Sequence, residues 1–453
     1  MKKRFLRAIS VLMVITILFT CTISVFAYSG RIDPDIIAET SKTALKIEGE
    51  GIVLLKNEDN VLPLDGKKLN VFGVGSVCPF FGGAGSGCIT SENPVSFYDA
   101  LDEKGIPYNK ELRELYEEEC GTEAIPTTSH PVVNNALGLI LTKSQLPEMP
   151  VSLLTDEIMN NAKAYSDTAL VMISRTSAEG TDLTEDILRI SDEERALVEK
   201  LNDNFKNIIV LFNISNIMEM GFVDEYENIK AAAAIWIPGE FGMLSVADVL
   251  TGEINPSGRL ADTVAYKVGD HPSGVCFGTN EYDGGEYYVE YLEGIYVGYR
   301  YYDFNSNGFI LPFGYGLSYA SFEYSNFKYE VDDGVVRVSL DVTNTSDVNG
   351  EDVIQVYVGK KASNIYRPLK ELKGFEKVFV NAKETRKVEV KLDIDDLKSY
   401  RELTDSFELE DGEYEIYIAK NTLEIIDTSS VVLDGVVFEE ALKPKTLEHK
   451  EYP

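Results

Sequence analysis

Glu179 stands in the stretch Val171-Met-Ile-Ser-Arg-Thr-Ser-Ala-Glu-Gly-Thr-Asp182. Residues 170–173 are apolar, enough for a buried parallel strand and too few for a helix. The polar residues 174–182 then form a loop at the strand's carboxyl end, where open α/β sheets place their chemistry. A glutamate so placed can give and take a proton. Asp182, Glu185 and Asp186 follow closely, and like charges raise a carboxyl pKa, as a general acid requires; a solvated acidic loop is the alternative. A second stretch, Phe80-Phe-Gly-Gly-Ala-Gly-Ser-Gly87, sets four glycines around Ser86. Such a loop lets backbone or the serine hydroxyl approach a ligand closely, though a plain surface turn has the same composition.

Other chemistries are poorly supplied. The three histidines, His130, His271 and His449, are far apart, and Cys78, Cys88, Cys120 and Cys276 form no CxxC pair. No metal site, cofactor or Ser-His-Asp triad is expected from them. The cysteines read as buried thiols, with a Cys78–Cys88 disulfide left open. Gly73-Val-Gly75 is followed by Cys78-Pro79, so the glycines miss the single strand-to-helix turn of a dinucleotide site. Net charge is -33, from 75 acidic and 42 basic residues. That excludes a basic footprint for nucleic acid, disfavours anionic membranes, and suits neutral ligands such as sugars.

The elements that must position these residues follow from periodicity. Residues 1–27 read as a signal peptide: Lys2, Lys3, Arg4 and Arg7, then an apolar run, then a small-residue site after Ala27. The chain is expected to be secreted; an uncleaved membrane anchor is the alternative. From residue 68 to 250 short apolar strands alternate with helical patterns, and Ser191 with Glu194 forms a capping box before a helix over 192–202. Residues 28–264 are thus expected to fold as an α/β sandwich domain with a mostly parallel sheet. Residues 265–321, rich in Tyr and Gly, read as a linker packed against both neighbours, with a sugar-stacking surface as the alternative. After residue 322 the period becomes two: Val336, Val338, Leu340 and Val342 alternate with polar residues. About seven short strands over 322–438 predict an immunoglobulin or fibronectin type III-like sandwich, with a tail over 439–453.

Several motifs stand together in order: Gly51-Ile-Val-Leu-Leu-Lys-Asn57, the glycine loop, Ile173-Ser-Arg-Thr-Ser-Ala-Glu-Gly180, Ile254-Asn-Pro-Ser-Gly-Arg-Leu260, Ile295-Tyr-Val-Gly-Tyr-Arg-Tyr-Tyr-Asp303, Phe313-Gly-Tyr-Gly-Leu-Ser-Tyr319 and Leu369-Lys-Glu-Leu-Lys-Gly-Phe375. The chain from 36 to 438 resembles the carboxyl-terminal half of a glycoside hydrolase of family 3, the family of many β-glucosidases. The resemblance implies that Glu179 is the general acid/base, that Ser86 lies near the sugar, and that the substrate is a β-linked oligosaccharide or glycoside. It also implies a nucleophilic aspartate on a TIM-like barrel. No stretch of the roughly 250 residues a barrel needs is left unassigned, so the barrel expected to face the acid/base arm is one from a separate chain or from a lost downstream segment. Leu183 follows Asp182 where an arginine is common, which bears on how the loop is anchored. A non-catalytic remnant or carbohydrate-binding module is the alternative function.

Overall fold

The computed structural model describes residues 34–83, 94–120, 145–177, 183–274, 280–281, 287–305 and 308–437. Helix α1 (Pro34–Gly51) leads into β1 (Val53–Asn57). Then come β2 (Asn70–Phe72), α2 (Phe97–Glu103), α3 (Lys110–Cys120), α4 (Asp156–Tyr165) and β3 (Thr168–Arg175). Helix α5 (Asp192–Asn204), β4 (Asn207–Ile214), β5 (Ile229–Ala234) and α6 (Met243–Thr251) complete the layer. The sheet order is β1-β5-β4-β3-β2. Strands β2 to β5 run parallel, and β1 is antiparallel to β5.

Both faces of this sheet are covered, which is why its strands read as continuous apolar runs. Ala169, Val171 and Ile173 of β3 pack with Leu112 and Tyr116 of α3, Met159 of α4 and Leu197 of α5. Leu170 and Met172 face the other way, onto Leu101 of α2 and Val246 of α6. The capping box at Ser191 is present, its hydroxyl accepting from the Glu194 amide at 3.1 Å while Glu194 accepts from the Ser191 amide at 2.9 Å. Strand β5 ends at Ala234, although the apolar run continues to Ile237. It stops early because Trp236 turns into a left-handed conformation, φ 48°, and its indole N–H donates to the Gly51 carbonyl at 2.8 Å.

The second layer pair is all antiparallel. Strands β6 (Phe322–Asp332), β7 (Val335–Asn344) and β10 (Thr385–Asp393) form one sheet, flanking in sequence β8 (Gly350–Lys360) and β9 (Glu371–Val380). The other sheet is ordered β9-β8-β11-β12, with β11 at Gly412–Ala419 and β12 at Ile425–Leu433. Val336, Val338, Leu340 and Val342 meet Ile354, Val356, Ile416 and Ile418 between the sheets, as period two requires. A short hairpin, Ser399–Arg401 with Ser406–Leu409, follows β10.

The Tyr-rich stretch bonds in both directions. Tyr315 Oη donates to the Leu55 carbonyl (3.2 Å) and Tyr319 Oη to Val249 (2.9 Å), while Tyr299 Oη accepts from the Leu372 amide (3.0 Å). A nearly buried pair, Arg259 with Asp352 at 2.8 Å, joins the α/β layer to β8, and Tyr324 Oη donates to the same Asp352 carboxylate at 2.7 Å. The bonds explain the tyrosines as packing residues with satisfied hydroxyls.

Candidate functional site

The parallel strands deliver the segments after β2, β3, β4 and β5 to one edge of the sheet. The glycines after β2 are there for contact with β3, not with a nucleotide. Gly73 has φ +90°, and a Cβ on it would stand 2.6 Å from the Met172 carbonyl oxygen; one on Gly75 would stand 2.2 Å from Ser174 Oγ. Only glycine lets the two chains come so close. Glu148, from the segment before α4, closes this turn. Its buried carboxylate accepts from the Val74 amide and its neighbour's amide at Met149, both at 2.9 Å, and burial pushes its pKa up to about 7.

Asn213, wholly buried near the end of β4, ties two of the segments together. Its Oδ1 accepts from the Phe80 amide at 2.7 Å, and its Nδ2 donates to the carbonyls of Phe80 (2.9 Å) and Trp236 (2.8 Å). Phe80 is the residue from which the glycine loop departs. Thr176 Oγ1, just beyond β3, donates to the Gly82 carbonyl at 3.2 Å, and Ser215 Oγ donates to Ser177 Oγ at 3.0 Å. The roots of the glycine loop and of the glutamate loop are therefore bonded to each other. Glu179 and Ser86 themselves, with Asp182, lie outside the described residues; Ser177 stands two positions before Glu179 and Gly82 four before Ser86.

The other leg of the glutamate loop is pinned by Arg175, which is buried completely. Its guanidinium donates to both oxygens of Glu194, at 2.8 and 2.5 Å, and to the carbonyls of Ile187 (2.9 Å) and Arg189 (3.0 Å). The charge is paired in a bidentate fork and its remaining donors are used, the condition for burying it. So Arg175 holds the described segment 187–189 that follows Leu183, the position where an arginine is common. In the sequence, Arg175 stands within a family motif with no role attached to it. The signal was present: a lone arginine ending an apolar strand, followed by a capping glutamate. Asn213 and Glu148 carried no comparable signal.

The edge thus brings together the roots of a loop that carries a glutamate in its sequence and of a glycine-rich one. One carboxylic acid can transfer a proton to a leaving oxygen, while displacement at a sugar carbon needs a second carboxylate.

A family model described as the glycosyl hydrolase family 3 C-terminal domain matches residues 52–299, and a fibronectin type III-like domain model matches residues 352–422. A β-glucosidase of Ruminococcus albus is 33% identical over 423 residues, covering 90% of this chain and 43% of that protein. An exo-alpha-(1->6)-L-arabinopyranosidase of Bifidobacterium breve is 30% identical over 397 residues, covering 85% of this chain and 48% of the relative. Among solved structures, β-glucosidase 3B of Thermotoga neapolitana, in complex with alpha-D-glucose, superposes with a TM-score of 0.80 at 32% identity, over 90% of this chain and 56% of the other. The chain spans about half the length of the curated relatives it matches.

Proposed function

The chain belongs to glycosyl hydrolase family 3, whose model spans more than half of it, and from that premise we propose that it carries the acid/base half of a β-glucosidase-type active site. Glu179 protonates the leaving glycosidic oxygen and then deprotonates the incoming water. Ser86 helps to hold the sugar. The nucleophilic carboxylate comes from a barrel domain, set about 5–5.5 Å from Glu179 for a retaining double displacement. The observation that supports this reading is the bond from Thr176 to Gly82, which roots the acid/base loop beside the sugar loop. The sugar is left to the partner: the relatives of this half include both a β-glucosidase and an arabinopyranosidase.

The test is hydrolysis of an aryl β-glucoside by the pure chain, alone and with candidate barrel partners. Turnover that appears with a partner and falls by about 10²–10⁴-fold in Glu179→Ala supports the proposal, since that is the usual contribution of general acid–base catalysis. Sugar binding without turnover under any partner supports a non-catalytic carbohydrate-binding module instead. We propose export as well, through residues 1–27. Amino-terminal sequencing of the protein from the culture medium is expected to begin at Tyr28; recovery of the whole chain in the membrane fraction would show an uncleaved anchor.

A further inference from the structure

Residues 145–149, just before α4, belong to no helix or strand, and side chains fasten them to the α/β layer. Met149 is sunk in the apolar core with Tyr116 of α3 and Leu197 of α5. Gln145 Nε2 donates to the Glu194 carboxylate of α5 at 3.4 Å. Between them Glu148 reaches the turn after β2. Its Oε2 accepts from the Val74 amide and its Oε1 from the Met149 amide, both at 2.9 Å. The Tyr116 hydroxyl bonds to it as well.

Glu148 is buried, and among the described residues no cation pairs with it. Glu194 faces it as a like charge. Arg175 is already committed: both ends of its fork go to Glu194 and its other donors to backbone carbonyls. The titratable and charged groups facing Glu148 are therefore Tyr116 from α3, Glu194 from α5 and, behind Glu194, Arg175 from β3; the turn after β2 meets it with an amide. Ionised, Glu148 is a buried charge without a counter-ion, held by N–H and O–H donors alone. Burial, with Glu194 adding to it, holds its pKa up to about 7 against the pull of the two amides.

We propose that this joint is a pH-sensitive latch: protonated Glu148 keeps segment 145–149 seated on the turn after β2, and its ionisation favours an open form in which water solvates the carboxylate. In the open form the group returns to its ordinary 4.5. Between 4.5 and about 7 the seated form thus keeps a proton that the open form has lost. Seating weakens as pH rises through that window and no further above it. The turn leads on to Phe80, whose backbone Asn213 holds, so the latch bears on the root of the glycine loop.

Amide hydrogen exchange of the whole chain, read residue by residue across this pH range and corrected for intrinsic rates, tests the latch. The opening equilibrium at Val74, whose amide bonds directly to Glu148, is expected to rise by up to tenfold per pH unit between about 5 and 7 and then to level off, the limit for one proton. Val210, inside β4, reports global unfolding, and Val74 is expected to exchange through more frequent, local openings. Glu148→Gln, which cannot ionise, should make the Val74 opening independent of pH. If that variant does not fold, the profile of the natural chain decides alone. The proposal is overturned by a pH-independent opening at Val74 in the natural chain, by openings no more frequent than those at Val210, or by an unchanged pH profile in Glu148→Gln. Exchange reads the fold and not turnover, so a failure of the hydrolase reading would leave this result standing, and the reverse holds too.

Discussion

Arg175 and Glu194 bury a full charge pair, with side chains 1% and 6% exposed. Removing one partner strands the other. Arg175→Met is expected to lower the unfolding free energy by about 3–5 kcal/mol in urea titrations, whereas Arg175→Met combined with Glu194→Leu should recover part of the loss, because two apolar groups need no pairing. A second buried carboxyl acts through pH. Burial raises Glu48 from 4.5 to about 8, and its Oε1 has no hydrogen-bond partner among the described residues. Between those values the folded state keeps a proton that the unfolded state has lost, so Glu48 makes stability fall as pH rises from about 4.5 to about 8. The slope per group reaches about 1.4 kcal/mol per pH unit. Glu48→Gln is expected to flatten the decline between pH 5 and 8, measured as the urea midpoint at each pH; an unchanged slope would refute the assignment.

At the scale of elements, α5 is started by a cap that the sequence displays openly. Ser191→Ala should cost about 1 kcal/mol, the usual loss of an N-cap hydroxyl, seen as a lower thermal midpoint with the same far-ultraviolet spectrum. Such local features were legible because their partners lie within one turn: Ser191 with Glu194, or the alternating valines of β7. Strands β3 and β4 were legible because burial on both faces makes their central residues apolar, 169–173 and 208–212. The joints between elements were not. Asn213 meets Phe80 across 133 positions of sequence, and no periodicity encodes that distance. Trp236 looks like strand by composition, and only its indole bond to Gly51 explains the turn that ends β5. As for the site, a lone loop glutamate is ordinary. Glu179 and Ser86 stood out through family motifs, while the residues that fix their loops became visible only in three dimensions.

On the scale of the molecule, the two layer systems meet through polar bonds anchored on Asp352. It takes Arg259 from the α/β side and Tyr324 from β6, and it is only 3% exposed. Nearby, Lys377 of β9 reaches Glu50 at 2.8 Å and Glu351 at 3.0 Å. Asp352→Ala leaves Arg259 with its charge nearly buried and unanswered. Differential scanning calorimetry is expected to show a single cooperative transition for the natural chain and two separated ones for the variant, with a loss of about 3 kcal/mol or more in the earlier step. A single transition at an unchanged temperature would show the ion pair to be dispensable. The double duty of Glu194 also bears on ancestry. It caps α5 and holds Arg175, so selection for folding alone would preserve it. In a lineage that abandoned hydrolysis, the arm would keep its shape for generations, a retained posture rather than a retained trade.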